Sequence, residues 1–201
     1  MSVTTAEQNW IDEVWNTELY QQLKKENFEL ASKYLPVAPK KILDIGCGLA
    51  WESRLFNQEF GSELWLLDGD IKNNDTKSPF AATGAYHSTT DDFLYYYSLQ
   101  RIDDELKKLG TENYHLIDCN NIQIDENIKF DLITSWVSCG FHYPSSTYRD
   151  LILKHSHPDT KIIFDIRIKR KHSNPLLEPG VEIVNRLNER SKYVTAEIKF
   201  V

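Results

Sequence analysis

One continuous stretch, KILDIGCGLAWESRLFNQEFGSELWLLD at residues 41–68, carries the strongest structural pattern of the chain. Its first segment, Lys41–Ile45, is short and apolar and runs into the glycines Gly46 and Gly48, after which the apolar residues take helical spacing. Its last segment, Glu63–Asp68, is apolar until the final acid, as in a strand buried on both faces of a parallel sheet. The stretch therefore predicts strand, glycine turn, helix and strand, which together form a βαβ unit.

The rest of the chain continues this alternation. Apolar patterns predict strands at residues 114–118, 130–137, 161–168 and 193–201, and helices at residues 90–109, 148–155 and 181–190. Alternating strands and helices imply an α/β fold with a doubly wound, mostly parallel sheet and helices on both faces. Helical spacing from Thr5 to Tyr34, ended by prolines, predicts that residues 1–36 form an N-terminal helical cap.

Length and composition favour a single domain over residues 1–201, since 41% hydrophobic and 26% charged residues are ordinary for a globular chain. Residues 69–110 interrupt the alternation as an insertion, and residues 69–87 within it carry no regular pattern. Long irregular connections are commonly binding loops or lids, so we predict that this insertion borders the ligand cleft and covers a substrate.

Charge and hydropathy narrow the expected partners. A formal net charge of -7 disfavours nucleic acid, and the basic run at residues 167–172 is interpreted as a solvated stretch. The apolar runs fall short of the roughly 20 residues that cross a bilayer, so no membrane partner is expected. The first residues lack a secretory pattern and the three cysteines lack a disulfide spacing, which together predict a cytoplasmic location.

The glycine turn is the place where a nucleotide-type ligand is expected. Backbone without side chains can approach a ligand closely at the start of a helix, and Asp44 precedes Gly46 by two residues. Asp68 ends the next strand, where an acid can accept hydrogen bonds from both ribose hydroxyls. The dinucleotide pattern needs a small residue where this chain has Trp51, which disfavours a nicotinamide cofactor.

With these residues, ILDIGCGLA at residues 42–50 resembles the glycine motif of class I S-adenosylmethionine-dependent methyltransferases. The likeness extends over about residues 40–168, and Ala50 stands where that motif has its third glycine. The resemblance implies S-adenosylmethionine as cofactor, with Asp44 at its amino group, Asp68 or in reserve Asp70 at its ribose, and Asp118 at its adenine. The cofactor-binding set implied in this way is Asp44, Gly46, Cys47, Gly48, Asp68, Gly69, Asp118, Cys119 and Ser135.

Two histidines are candidate general bases. Catalysis of methyl transfer requires an aligned acceptor and, for a hydroxyl, removal of its proton, which a group with a pKa near 6.5 can do. His142 follows the predicted fourth strand and is the first candidate, although a packed loop histidine would look the same, and His87 in the insertion is the second. His155 and His157 are expected at a surface helix end. Only Cys139 and His142 form a close pair of metal-ligand type, so no metal site is expected.

These residues favour methyl transfer to an oxygen of a small polar acceptor. The tyrosine-rich insertion and the segment SWVSCGFHYP at residues 135–144 resemble sugar O-methyltransferases, which implies a carbohydrate acceptor. Two alternatives stay open: a non-catalytic module that binds the cofactor or another protein on the same fold, and a nicotinamide-dependent oxidoreductase. A thiol of Cys119 or Cys139 as nucleophile is a further alternative.

Overall fold

An eight-stranded β-sheet is the centre of the structure, a computed structural model that describes residues 17–70, 97–169 and 174–201. The strands are β1 (Lys41–Ile45), β2 (Glu63–Asp68), β3 (Tyr114–Asp118), β4 (Leu132–Ser135), β5 (Lys161–Lys169), β6 (Asn174–Pro175), β7 (Val181–Glu189) and β8 (Tyr193–Phe200). The α-helices of these residues are α1 (Glu18–Tyr34), α2 (Trp51–Phe60), α3 (Leu99–Lys108) and α4 (Arg149–Lys154), and a 3-10 turn at Ser145–Tyr148 precedes α4.

The strand order is β3-β2-β1-β4-β5-β8-β7, and the short β6 pairs with the end of β5. The first five strands of this order run parallel, whereas β8 is antiparallel to both of its neighbours. The order reverses between β1 and β4, because β2 and β3 lie on one side of β1 and β4 and β5 on the other. Ligands of doubly wound sheets bind outside the carboxyl ends of the strands at such a reversal.

Helices cover both faces of the sheet, as predicted, but unequally. One hydrophobic cluster joins one sheet face to α1, α2 and α3 through Ala31, Phe56 and Ile102. The cluster on the opposite face contains Ile152 of α4 and is completed by half-buried isoleucines from the irregular segment between β3 and β4. The core therefore lies in two layers, one on each side of the sheet.

The predicted helix over residues 181–190 is wrong, because Val181–Glu189 is the edge strand β7. Val181 and Ile183 alternate toward one face, but the pairing with β8 shifts register between Ile183 and Asn185 and again between Arg186 and Asn188. A bulge breaks the period-two pattern of a strand. The resulting apolar spacing at residues 181, 184 and 187 imitates a helix, and main-chain pairing with β8 decides the structure instead.

The other predicted elements are present with shorter or shifted ends. β1, β2 and β3 have the predicted ranges, β4 is shorter than the expected 130–137, and the final strand β8 lies inside the sheet, between β5 and β7. Parts of the N-terminal cap and of the insertion, residues 1–16 and 71–96, lie outside the described residues. In the described ranges, the helices are all too short or too polar to cross a membrane.

Candidate functional site

The glycine turn after β1 sits at the point where the strand order reverses. The main-chain N–H groups of Gly46 and Cys47 donate to the carbonyl of Leu67 at 2.7 and 3.2 Å, which ties the turn to the end of β2. Gly46 has a φ of +69°, and a Cβ there would stand 2.0 Å from Oγ of Ser138. Glycine at this position is therefore required by backbone conformation and by contact with the segment that follows β4.

Asp68 closes the turn from the end of β2. Its carboxylate accepts the main-chain N–H of Gly48 at 2.7 Å and that of Gly69 at 2.7 Å, one on each oxygen. Burial raises the pKa of this carboxyl to about 6, although the two N–H donors favour its charged form. Each oxygen retains a lone pair for another donor. Asp70, the reserve candidate, is buried, and its carboxylate accepts the main-chain N–H of Leu99 at 3.4 Å.

Asp44, predicted to face the amino group of the cofactor, is the next-to-last residue of the central strand β1 and is 1% exposed. Its two oxygens accept the hydroxyls of Ser53 on α2 at 2.6 Å and Thr134 on β4 at 3.1 Å. Burial raises its pKa to about 7, with the hydroxyl of Ser53 as the leading opposing influence. The carboxyl is thus fixed in direction, and its charge would be stabilised by a nearby cation.

Asp118 ends β3 in direct register with Asp68 on β2, so the two acids stand on adjacent strand ends. One oxygen of Asp118 accepts the main-chain N–H of Asn120 at 2.9 Å and its side-chain amide at 3.0 Å, which forms the turn that leaves the strand. Cys119 is buried, and its N–H donates to the carbonyl of Asp68 at 2.8 Å. The predicted ribose and adenine acids therefore share one edge.

The segment after β4 meets the glycine turn from the other side of the reversal. The buried hydroxyl of Ser135 donates to the carbonyl of Ile45 at 2.8 Å and accepts the N–H of Cys139 at 2.8 Å. Both contacts are internal, so Ser135 joins β1 to this segment. The side chain of Ser138, which the sequence did not single out, is the one that reaches Gly46.

His142 lies in the same segment and is half-buried, and its main-chain N–H donates to the carbonyl of Ser138 at 2.7 Å. Its ring meets that of Phe141 edge to face, with 4.9 Å between centroids, and Phe141 in turn contacts Tyr193 of β8 at 5.7 Å. This position follows the carboxyl end of β4, as predicted. His87, the second candidate base, lies outside the described residues.

Ala50 explains how the glycine motif tolerates a missing third glycine. Ala50 caps α2 with a φ of +52°, the left-handed conformation that favours glycine, and it is fully buried. A left-handed conformation costs an alanine roughly 1–2 kcal/mol. The methyl group is small enough to pack inside the core, so the turn retains its shape despite the substitution.

A set of buried charged side chains beside this edge was not predicted. Lys24 of α1 donates to the carboxylate of Glu52 on α2 at 2.8 Å, and the amide of Asn27 donates to the same oxygen at 3.0 Å. Asp165 on β5 is fully buried and accepts the N–H of Val137 at 3.1 Å and the hydroxyl of Thr195 at 2.6 Å. An acid inside the otherwise apolar segment 162–166 was the one available indication.

Asp165 holds a strained turn. Val137 has a φ of +53°, which is exceptional for a β-branched residue, and its N–H is the donor to Asp165. Burial raises the pKa of Asp165 to about 7, and the hydroxyl of Thr195 is the leading influence that lowers it. Backbone strain of this kind is found where the surrounding structure fixes it, frequently at ligand sites.

The thiol and the remaining histidine predictions have clear placements. Cys119 and Cys139, the two thiols considered as nucleophiles, are both buried, and burial raises the pKa of the Cys139 thiol to about 12, which disfavours an activated thiolate there. His155 is at a helix end but is 1% exposed, with Nδ1 at 2.8 Å from the carbonyl of Ile128, so its predicted surface position is wrong. His157 is half-buried beside Asp131.

Comparisons with known proteins identify the architecture. No protein-family model and no curated protein matches the chain. Solved structures do match, among them the plantazolicin methyltransferase BpumL in complex with S-adenosylhomocysteine (SAH) and a desmethyl plantazolicin analogue. That structure has a TM-score of 0.55 at 16% identity over 82% of this chain and 54% of the other. The fold is that of the class I methyltransferases.

Two further matches cover more of their own length. The ribosomal protein L11 methylase from Lactobacillus delbrueckii subsp. bulgaricus has a TM-score of 0.53 at 16% identity, over 89% of this chain and 79% of that one. A methyltransferase from Pyrococcus furiosus has a TM-score of 0.55 at 13% identity, over 88% and 82%. The chain spans about half the length of the plantazolicin methyltransferase, at 54%. At these identities the likeness concerns the fold.

Proposed function

We propose that this protein binds S-adenosylmethionine at the carboxyl edge of β1, β2 and β3 and transfers its methyl group to a small polar acceptor. The observation that carries the proposal is the position of three acids around one glycine turn. Asp44 precedes the turn and accepts the hydroxyl of Ser53, Asp68 accepts the N–H of Gly48 in the turn, and Asp118 pairs with Asp68 on the neighbouring strand. Matching folds with SAH bound support the choice of ligand.

The donor and acceptor chemistry of this edge fits that cofactor. Asp68 offers free lone pairs beside the turn, where adjacent ribose hydroxyls need acceptors. Asp44 places a buried acid where an ammonium is expected, and Asp118 has one oxygen not engaged by its turn among the described residues. A pyrophosphate would place negative charge over Asp44, which disfavours a nicotinamide dinucleotide.

For the reaction itself, the bound cofactor supplies an electrophilic methyl group on a sulfonium. The chain must then orient the acceptor and take its proton. We assign the orientation of the acceptor to residues 135–143 and the removal of its proton to the imidazole of His142. His142 follows β4, at the edge where the amino-acid part of the cofactor is expected. A hydroxyl acceptor, with sugars as the first class to test, follows from the sequence resemblance and has no support among the structural matches.

Calorimetric titration with S-adenosylmethionine, SAH and NAD tests the cofactor, and SAH release in the presence of acceptor panels tests turnover. We expect micromolar binding of both sulfur nucleosides and none of NAD. Absence of binding of both sulfur nucleosides would refute the proposal. His142→Ala should lower turnover at least tenfold and leave cofactor affinity within twofold. Binding without turnover for any acceptor would instead favour a non-catalytic module on this fold.

A further inference from the structure

Two side chains in the first turn of α2 carry hydrogen-bond donors that nothing among the described residues accepts. The guanidinium of Arg54 is on a residue that is 5% exposed, and its Nε is buried without a partner. Indole Nε1 of Trp51, the first residue of the helix, is buried without a partner as well. The two groups are adjacent, because Cζ of Arg54 lies 4.1 Å from the centre of the Trp51 ring.

A buried guanidinium without an anion is unfavourable, since charge is removed from water and no acceptor replaces it. Burial lowers the pKa of Arg54, and Glu105 of α3 followed by Glu52 act electrostatically against that decrease. No described carboxylate forms a salt bridge with Arg54. Nε of a planar guanidinium and an indole N–H, both buried without an acceptor, therefore lie together in the first turn of a ten-residue helix, at its positive end.

The position of Arg54 on the helix separates this place from the amino-acid end of the cofactor. Successive helical residues are about 100° apart. Glu52 faces Lys24 on α1 and Ser53 faces Asp44 on β1, so Arg54 lies on the third side, toward Glu105 on α3. The cofactor ammonium is expected near Asp44. The cofactor carboxylate belongs to the same amino-acid group, so it is expected on the Asp44 side of the helix and not beside Arg54.

We propose that Arg54 and Trp51 form a binding site for an oxyanion, a phosphate or a carboxylate, carried by a ligand other than the cofactor. Arg binds both groups through two parallel N–H bonds, and a long arginine side chain in a first helical turn reaches back over the helix start, as the contact with Trp51 requires. The site does not depend on the proposed methyl transfer.

Titration of the full chain with inorganic phosphate, and separately with acetate, at constant ionic strength tests the site. We expect saturable phosphate binding with a millimolar Kd, at least tenfold weaker in Arg54→Gln and several-fold weaker in Trp51→Phe, which removes the donor and retains a ring. Arg186→Gln, an exposed arginine on β7, is the charge-matched control and should bind phosphate as the wild type does. Saturable binding of acetate alone, lost in Arg54→Gln, would support a carboxylate ligand.

Absence of saturable binding of both ions to the wild type, or equal affinity in Arg54→Gln, would overturn the proposal. If Arg54→Gln fails to fold, Arg54→Met retains the packing on Trp51 and serves in its place. Titration with SAH and with 5′-methylthioadenosine, which lacks the amino-acid part, separates the source of the anion. A variant that loses affinity for SAH alone would assign Arg54 to the cofactor carboxylate and overturn the proposal, whereas unchanged SAH affinity with lost phosphate binding supports it.

Discussion

Asp68→Asn is the most informative single change at the proposed cofactor site. In the wild type each carboxylate oxygen accepts one main-chain N–H, from Gly48 and from Gly69, both at 2.7 Å. Asparagine retains one acceptor oxygen and presents an NH2 group to the other N–H. One ribose hydroxyl then loses a charged acceptor, and such a hydrogen bond contributes roughly 1.5–3 kcal/mol. The expected loss of SAH affinity is therefore about 10- to 150-fold.

Calorimetry of the wild type and of the variant measures this loss. Asp104→Asn is the matched control, because Asp104 is an exposed acid on α3 whose carboxylate contacts only Gln100 among the described residues. The control should bind SAH with wild-type affinity. Affinity of Asp68→Asn within twofold of the wild type would refute the assignment of Asp68 to the ribose.

The pH dependence of binding gives a second readout of the same perturbation. Burial raises the pKa of Asp68 to about 6 and that of Asp44 to about 7, and a ligand with hydroxyl donors and an ammonium needs both acids ionised. Protonation therefore competes with binding, and the SAH Kd should increase as pH falls, by up to about tenfold per unit below each pKa. In Asp68→Asn the step near pH 6 should vanish and the step near pH 7 should remain.

Two further predictions concern the buried charges. Lys24→Met leaves the carboxylate of Glu52 buried without its cation and should lower the free energy of unfolding in urea by about 3–5 kcal/mol. The double variant Lys24→Met with Glu52→Leu should recover most of that loss. A Lys24→Met variant as stable as the wild type would contradict this. Asp165→Asn can still accept from Val137 and bond Thr195. Burial raises the folded pKa of Asp165 to about 7, above its unfolded value, so the ionised carboxyl of the wild type destabilises the fold at pH 8 and does so less as pH falls toward 4. Asp165→Asn should therefore have a higher Tm than the wild type at pH 8, with a smaller difference at pH 5. A Tm difference that does not shrink at pH 5 would argue against this.

The glycine turn and the strands around it were predictable because their information is local. β1, β2 and β3 are short, mainly apolar runs with an acid at the end of β2 and of β3 and next to the end of β1, and their place in a parallel sheet follows from that pattern. The edge strand β7 was not predictable in this way. Its two register shifts hide the alternation of apolar residues, and its partner β8 comes later in the chain.

The buried charges were not predictable because each depends on a distant partner. Lys24 occupies a polar position of an amphipathic helix, and only the approach of α2 to α1 buries it against Glu52. Asp165 has partners 28 and 30 residues away, at Val137 and Thr195. Local hydrophobic patterns contain no information on such pairs, so a sequence reading places these residues on the surface or overlooks them.

The triplet Glu52, Ser53 and Arg54 shows the same limit within one helical turn. Three consecutive polar residues in a helix would ordinarily indicate a solvent-facing segment, yet they are only 3%, 1% and 5% exposed. Glu52 and Ser53 are buried because Lys24 and Asp44 satisfy them. The same rule, that buried polar groups require partners, is met twice and unmet at Arg54. That asymmetry is the reason to look for a ligand beside Arg54 and for none beside Glu52.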